Sequence, residues 1–413
     1  MSRLNEIPKE LVVDYDHIHG PEISVFPPSA VDGFREDLRA FYSSRHGGFW
    51  VLTRYEDIRA AFRDHELFVQ HAQGLPLNPY SRIHIPLMLN EPDHGIYRKL
   101  MVPIFAPRMV ARLEEVVRTV AKEQIARIAS LGECEFVDDF AISMPSAMYC
   151  GMLGVDPSNF RKFNDLSVGL VFGAADVLLQ EGEDAARHYR KSVSEEIDEI
   201  LLDLIAQRKS QPGDDIISIL LDADLGDRKL TDDEVLNMAS LLFFAGTAST
   251  TSMMTYAFMF LAQNPEHRQQ IIDNPSLTRQ AATEMIRYHG FHQIRREVAR
   301  DTTFAGVEMK KGDIILLPTG GANHDPRQFP DPHVIDFSRS NAQTHLSFGG
   351  GVHQCIGQHL ATLEIMTALQ EFHAVIKDYR LHPDKPVKYM TSQAKAVPRY
   401  VPMTFTPVTV APQ

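Results

Sequence analysis

Cys355 lies in the run Phe348-Gly349-Gly350-Gly351-Val352-His353-Gln354-Cys355-Ile356-Gly357, between a glycine-rich turn and a stretch, Gln358 to Phe372, that reads as a helix. A thiolate inside a protein needs stabilising. The backbone N–H groups of a tight turn, next to a helix N-terminus, provide that. Such a sulfur has three chemical uses: a nucleophile, a ligand to zinc, or an axial ligand to haem iron. Cys134 and Cys150 sit in apolar contexts without metal-ligand spacing and read as small buried hydrophobes.

Other residues pair by spacing. Glu284 and Arg287 stand at i, i+3 on a predicted helix, Arg279 to Tyr288, so they share a face. Taken alone, that is an ion pair of little worth. His94 and Arg98 put two potential cations on one helical face. Ala245-Gly246 lies in the middle of a long apolar stretch, where small residues let a backbone approach a flat cofactor. Thr247, Ser249 and Thr250 follow, with hydroxyls that both donate and accept. His289 and His292 are also at i, i+3, but zinc needs further ligands, and the remaining histidines show no metal spacing.

Helical periodicity dominates the elements that must hold these groups. Val193, Ile197, Ile200, Leu201, Leu204 and Ile205 form one apolar face. Thr231-Asp232-Asp233-Glu234 is a capping box that starts a long central helix, and Asn264-Pro265 ends it. At ~1.5 Å per residue that helix is about 48 Å long. Phe49-Trp50-Val51-Leu52 predicts a short strand, followed by a helix from about Tyr55, and Lys311-Gly312 predicts a hairpin within Val307 to Leu317. Irregular chain from about Gly320 to Gly351 marks a functional loop.

No linker or repeat divides the 413 residues, so one large domain over residues 1–413 is expected, mainly α with small β-sheets. Three cysteines exclude a disulfide framework and point to a reducing, cytoplasmic setting. The N-terminus lacks an apolar core, so no signal peptide is expected. A net charge of −13 argues against a nucleic-acid partner. Val235 to Pro265 carries no charge and is long enough to span a bilayer, yet it holds Asn237, Thr247, Thr251 and Thr255. Those polar groups suit a helix buried in protein, and no membrane association is expected.

The pattern Phe-Gly-x-Gly-x-His-x-Cys-x-Gly, with all six fixed positions filled, resembles the haem-binding loop of the cytochrome P-450 family. The resemblance covers nearly the whole chain. It implies the fold of that family and haem b as cofactor, with Cys355 as the iron ligand and Phe348, Gly349, Ala245, Gly246 and Gly357 around the haem. His94, Arg98, Arg296 and His353 match positions that hydrogen-bond the haem propionates. Glu284, Arg287 and Arg339, with the meander Asn323-His324-Asp325-Pro326 and Phe329-Pro330-Asp331-Pro332 between them, match a structural lock on the loop before the thiolate. One departure stands out. The family has Ala/Gly-Gly-x-Asp/Glu-Thr on the central helix, a pair that delivers protons during oxygen activation. Here Ala248 takes the place of the acid and Ser249 that of the threonine, with Thr250 as its rival.

Within the family the chain is most similar to the bacterial camphor-hydroxylating branch, through Met309-Lys310-Lys311-Gly312-Asp313, Asp336-Phe337-Ser338-Arg339 and Cys355-Ile356-Gly357-Gln358-His359-Leu360-Ala361. The pocket is not copied. Arg82, His84 and Leu87 replace the aromatic wall, and Ile294 stands where that branch has an aspartate. The implied pocket joins apolar Leu87, Leu241, Phe244 and Ala245 to polar His84 and His292. The implied activity is insertion of one atom of dioxygen into a C–H bond of a small apolar terpenoid or norisoprenoid. A separate ferredoxin and its reductase would supply electrons to a monomeric enzyme, with Arg98, Lys99, Arg108 and Arg112 as a docking patch. Loss of the acid at Ala248 favours the alternative: a haem-thiolate protein that uses peroxide, catalyses isomerisation, or binds haem without catalysis.

Overall fold

A computed structural model describes residues 3–17, 29–70, 84–156, 159–169, 173, 177, 180–392 and 395–409. The central helix, Asp232–Gln263, organises the molecule. The Thr231 hydroxyl accepts the Glu234 N–H at 3.3 Å, and the Glu234 carboxylate accepts the Thr231 N–H at 2.7 Å. Two donors that a helix start leaves orphaned are thereby satisfied. At the far end the Asn264 side-chain amide donates to the Phe260 carbonyl at 2.8 Å, and Pro265 opens the next helix.

Helices Ser143–Leu153, Glu183–Ser210 and Gln358–Val375 pack around the central one. On the second of these, Val193, Ile197, Leu201, Leu204 and Ile205 are buried and Ile200 is half-buried. An aromatic cluster fills the centre, with Phe258 at 4.6 Å from Phe136 and 5.1 Å from Phe372 between ring centroids. Burial of each such ring contributes about 1.5–3 kcal/mol. Thr251 and Thr255 of the central helix are buried in protein, and among the described residues no helix is long and apolar enough to cross a membrane.

A six-stranded sheet lies to one side. Its order is Val12–Val13, Ala40–Ser43, Phe49–Leu52, Ile314–Pro318, Gln293–Val298 and Phe68–Val69. Ile315 is the register partner of both Trp50 and Arg296. This ladder fixes where Arg296 stands.

The hairpin expected at Lys311-Gly312 does not form. Val307–Met309 pairs instead with Thr302–Phe304 through a turn at Ala305 and Gly306, where φ is 51° and 82°. Gly312, with φ 87°, sends Ile314–Pro318 away into the large sheet. Asp313 holds this exit by accepting the Trp50 indole N–H at 3.0 Å and the Lys310 N–H at 2.9 Å. Burial of Ile315, Leu316 and Leu317 between two neighbouring strands outweighs the local turn signal.

Candidate functional site

The Cys355 loop is held by backbone and by shape. The Cys355 N–H donates to the Phe348 carbonyl at 2.9 Å. Gly349 and Gly351 take φ of 67° and 65°, which L side chains rarely adopt. A Cβ on Gly351 would fall 1.9 Å from the Phe62 carbonyl oxygen, so only glycine lets the loop rest on helix Tyr55–Arg63. Gly357 precedes helix Gln358–Val375, and its N–H bonds the Cys355 sulfur. The sulfur lines an accessible space while protein surrounds it on most sides. That burial pushes the thiol pKa up, against the opposing pull of the Gly357 N–H and the Arg98 guanidinium.

Basic groups converge beside it. The His94 and His353 rings lie 4.0 Å apart, although 259 residues separate them in sequence. His94 Nδ1 meets the Glu91 carboxylate at 2.9 Å, while its buried Nε2 has no hydrogen-bond partner. Arg98 donates to the Gln354 carbonyl. Arg296 is 6% exposed, and its guanidinium donates to the Arg295 carbonyl at 2.7 Å. Burial lowers the pKa of Arg296 to about 10. Burial first, then the charges of His94, Arg296 and Arg98, lowers that of His353 to about 3. Among the described residues Glu91 is the one carboxylate that touches this group. A ligand carrying two carboxylates would balance it, and haem b fits that donor set and the adjacent thiol.

Glu284, Arg287 and Arg339 meet behind the loop. Arg287 donates to both Glu284 carboxylate oxygens at 2.8 Å, and Arg339 Nε donates to Oε1 at 3.0 Å. Arg287 also donates to the Asn323 and Pro332 carbonyls at 2.8 and 3.0 Å. Asn323 carries the link onward, accepting the Leu346 N–H at 2.7 Å and donating to Ser347 Oγ at 2.8 Å. The lock thus reaches the residue before Phe348.

The central helix presents two different faces here. Ala245 is exposed and Ala248 and Ser249 are half-buried, so they border open space. Ser249 Oγ donates back to the Ala245 carbonyl at 2.8 Å. Gly246 points elsewhere: a Cβ there would lie 1.6 Å from Tyr149 Oη. The expectation that Gly246 marks close approach to a cofactor is corrected, because the Tyr149 phenol fills the space its missing side chain leaves. Thr250 is buried and turned toward helix Gln358–Val375, where its hydroxyl stabilises the charged form of Glu364.

The pocket residues are less closely gathered. Leu241 is buried, one turn before Ala245. His84 and His292 are half-buried, and the His292 carbonyl accepts the Thr319 N–H at 2.9 Å. Leu87 is 39% exposed and lies in a turn beside chain outside the described residues. Arg82 and the Phe244 side chain lie outside the described residues. The fold also gathers three potential ligands, Asp16, His17 and His46, within 4.8 Å of one another, a grouping their spacing does not show. Asp16 pairs with His46 at 2.8 Å and Arg295 donates to His17 Nε2 at 2.6 Å, so hydrogen bonds within the protein already engage them.

Sequence reasoning missed Glu364 and Tyr149. A lone acid in Leu360-Ala361-Thr362-Leu363-Glu364-Ile365-Met366 was the available signal for the first.

The cytochrome P450 family model matches residues 40–400. A probable cytochrome P-450 127A1 of Sinorhizobium fredii is 31% identical over 88% of this chain and 82% of its own. The mycinamicin IV hydroxylase/epoxidase of Micromonospora griseorubida is 33% identical over 78% of this chain and 80% of its own. The crystal structure of the cytochrome P-450 CYP101C1 superposes with a TM-score of 0.87 at 26% identity, covering 97% of this chain and 99% of that one. With the fold matched over nearly its full length, the chain belongs to the cytochrome P-450 family and is a monooxygenase of the kind that holds haem b by a cysteine thiolate.

Proposed function

We propose that Cys355 ligates the haem iron, and that His94, Arg98, Arg296 and His353 hold the haem carboxylates. The observation that carries this reading is one accessible thiol beside a group of basic side chains that Glu91 alone cannot balance. Haem b, when bound, supplies the oxygen-activating chemistry. The Gly357 N–H and Arg98 favour the thiolate form of Cys355. The Glu91 carboxylate accepts the His94 Nδ1–H and fixes the ring, so that Nε2 faces the ligand and donates to a carboxylate there once the ring is imidazolium. Phe348, Gly349 and Gly357 shape the proximal side, and Ala245 borders the open space across from it. The Glu284, Arg287 and Arg339 lock keeps the loop in place. Ser249 offers the hydroxyl that moves a proton during turnover.

The substrate is a compact, mostly apolar terpenoid or norisoprenoid with one polar handle, hydroxylated at a C–H bond. Leu241 and Ala245 supply apolar wall, and His84 and His292 supply one or two hydrogen bonds, the usual make-up of a site that orients an apolar ligand. Electrons come from a separate ferredoxin and its reductase. Lys99, Arg108 and Arg112 are exposed, as a docking patch for an acidic partner requires. The enzyme works as a cytoplasmic monomer. Titrating terpenoids into the haem-loaded protein tests the substrate class, since a ligand that displaces water from the iron shifts the spin state. A shift with macrolactones or charged ligands alone overturns it.

A further inference from the structure

Helix Asp93–Met101 carries His94 and Arg98, yet little apolar packing holds it. It has nine residues and no side-chain cap at its start. That is shorter than the roughly 12–15 residues an isolated helix needs in water. Of the nine, His94 and Met101 are buried, Tyr97, Arg98 and Leu100 are half-buried, and Ile96 is 44% exposed. Polar contacts therefore decide where this helix sits. One runs to the cysteine loop, from the Arg98 guanidinium to the Gln354 carbonyl. Another runs to the central helix, where the Tyr97 hydroxyl donates to Glu234 Oε1 at 2.5 Å.

The acceptor is firmly held. The Glu234 side chain is 12% exposed, and its carboxylate accepts from both terminal nitrogens of Arg228 and from the Thr231 N–H, each at 2.7 Å. The Arg228 hydrogen bond, ahead of those from Tyr97 and Thr231, keeps this carboxyl well below the usual carboxylate range, so it is charged. A phenol donating to a carboxylate makes a charge-assisted bond, shorter and stronger than a neutral one. Tyr97 stands three residues after His94 and one before Arg98, so its side chain leaves the helix beside the face those two share. Fixing Tyr97 to the central helix fixes the rotation of helix Asp93–Met101 about its own axis. That rotation sets how far His94 and Arg98 extend toward a carboxylate ligand.

We infer that Tyr97 is a positioning residue for haem. Its bond to Glu234 ties the helix bearing His94 and Arg98 to the capping box of the central helix, and thereby sets the grip of those two residues on the haem carboxylates. This rests on the reading of His94 and Arg98 as the groups that hold those carboxylates.

The test uses the haem-loaded protein and its Tyr97→Phe, Arg98→Ala and doubly substituted variants. Haem loss from the ferric protein is timed against an excess of apomyoglobin. Resonance Raman spectra read the bending bands of the haem propionates, which move with the hydrogen bonds those groups accept. Tyr97→Phe is expected to lose haem several-fold faster and to shift a propionate band. Added to Arg98→Ala, it is expected to quicken the loss by a smaller factor than it does alone, because residues acting through one another are not additive. Wild-type haem loss in Tyr97→Phe overturns the inference. So does faster loss with unmoved propionate bands, which would make the tie a support for the fold alone, and so does an undiminished factor on top of Arg98→Ala. Should Arg98→Ala fail to retain haem, the rate and the band of Tyr97→Phe decide together. A wild-type protein without the carbon monoxide spectrum of a thiolate-bound haem would instead sink the haem reading, and this inference with it.

Discussion

Removing the Glu284 carboxylate should cost more stability than any other single change in the lock behind the cysteine loop. Glu284 Oε1 accepts from Arg287, Arg339 and the Asp336 N–H at 2.8, 3.0 and 3.1 Å, and Oε2 accepts from Arg287 at 2.8 Å. The Glu284 and Arg287 side chains are 1% and 0% exposed. Glu284→Ala leaves two guanidiniums without a counter-charge, one of them fully buried, and stranding a buried charge costs about 3–5 kcal/mol. Against a total of about 5–15 kcal/mol for a domain, that is a large share. Glu284→Gln keeps the shape but turns an N–H₂ toward an arginine donor, with a cost of about 2–3 kcal/mol. Arg339→Ala leaves the Glu284–Arg287 pair intact and frees carbonyls that can meet water, with a cost of about 1–2 kcal/mol. The assay is urea unfolding followed by the haem absorbance and by far-ultraviolet circular dichroism. The expected order of midpoints is wild type, Arg339→Ala, Glu284→Gln, Glu284→Ala. A Glu284→Gln protein within about 0.5 kcal/mol of wild type, the scale of a surface substitution, would refute the reasoning.

Ser249→Ala should leave substrate affinity unchanged while diverting electrons to peroxide; unchanged coupling would remove Ser249 from the proposed proton path. Stability should fall as pH drops from about 6.5, the ordinary histidine value, toward about 4. His289, His345 and His373 are held neutral by burial, with pKa values of about 3, 4 and 3, so the unfolded chain binds protons there that the folded one refuses. His373→Phe should flatten that slope, and an unaltered slope in acid unfolding curves would assign the loss to carboxylates instead. Glu364 acts with the opposite sign. Its raised pKa favours the folded state below the ordinary glutamate range and loses that contribution as pH rises through about 8. Glu364→Gln should therefore gain relative to wild type in unfolding midpoints above that pH.

Features with a local cause were legible in the sequence. The box from Thr231 to Glu234 closes over three residues, and Asn264-Pro265 stops the helix by the same local chemistry. Glu284 and Arg287 share a face because any helix would make them do so. Features with a distant cause were not. The turn at Gly312 looks like a hairpin until Phe49–Leu52 is known to lie beside Ile314–Pro318. Gly246 looks open until the Tyr149 ring arrives from another helix. The contact between His94 and His353, and the placing of Arg296 by its ladder with Ile315, are tertiary facts that spacing alone cannot show. Glu364 was readable as an anomaly, a lone acid in an apolar run, but its meaning depends on Thr250 across the interface.

Ligation of the haem iron by Cys355 is the claim on which the account turns, and the absorbance spectrum of the reduced protein under carbon monoxide measures it most directly. Ligation by Cys355 predicts the red-shifted Soret band of a thiolate-bound haem in the wild type, and loss of that band in Cys355→His with haem still retained by the basic cluster. A wild-type band at the position given by histidine ligation, or an unchanged band in Cys355→His, would contradict it.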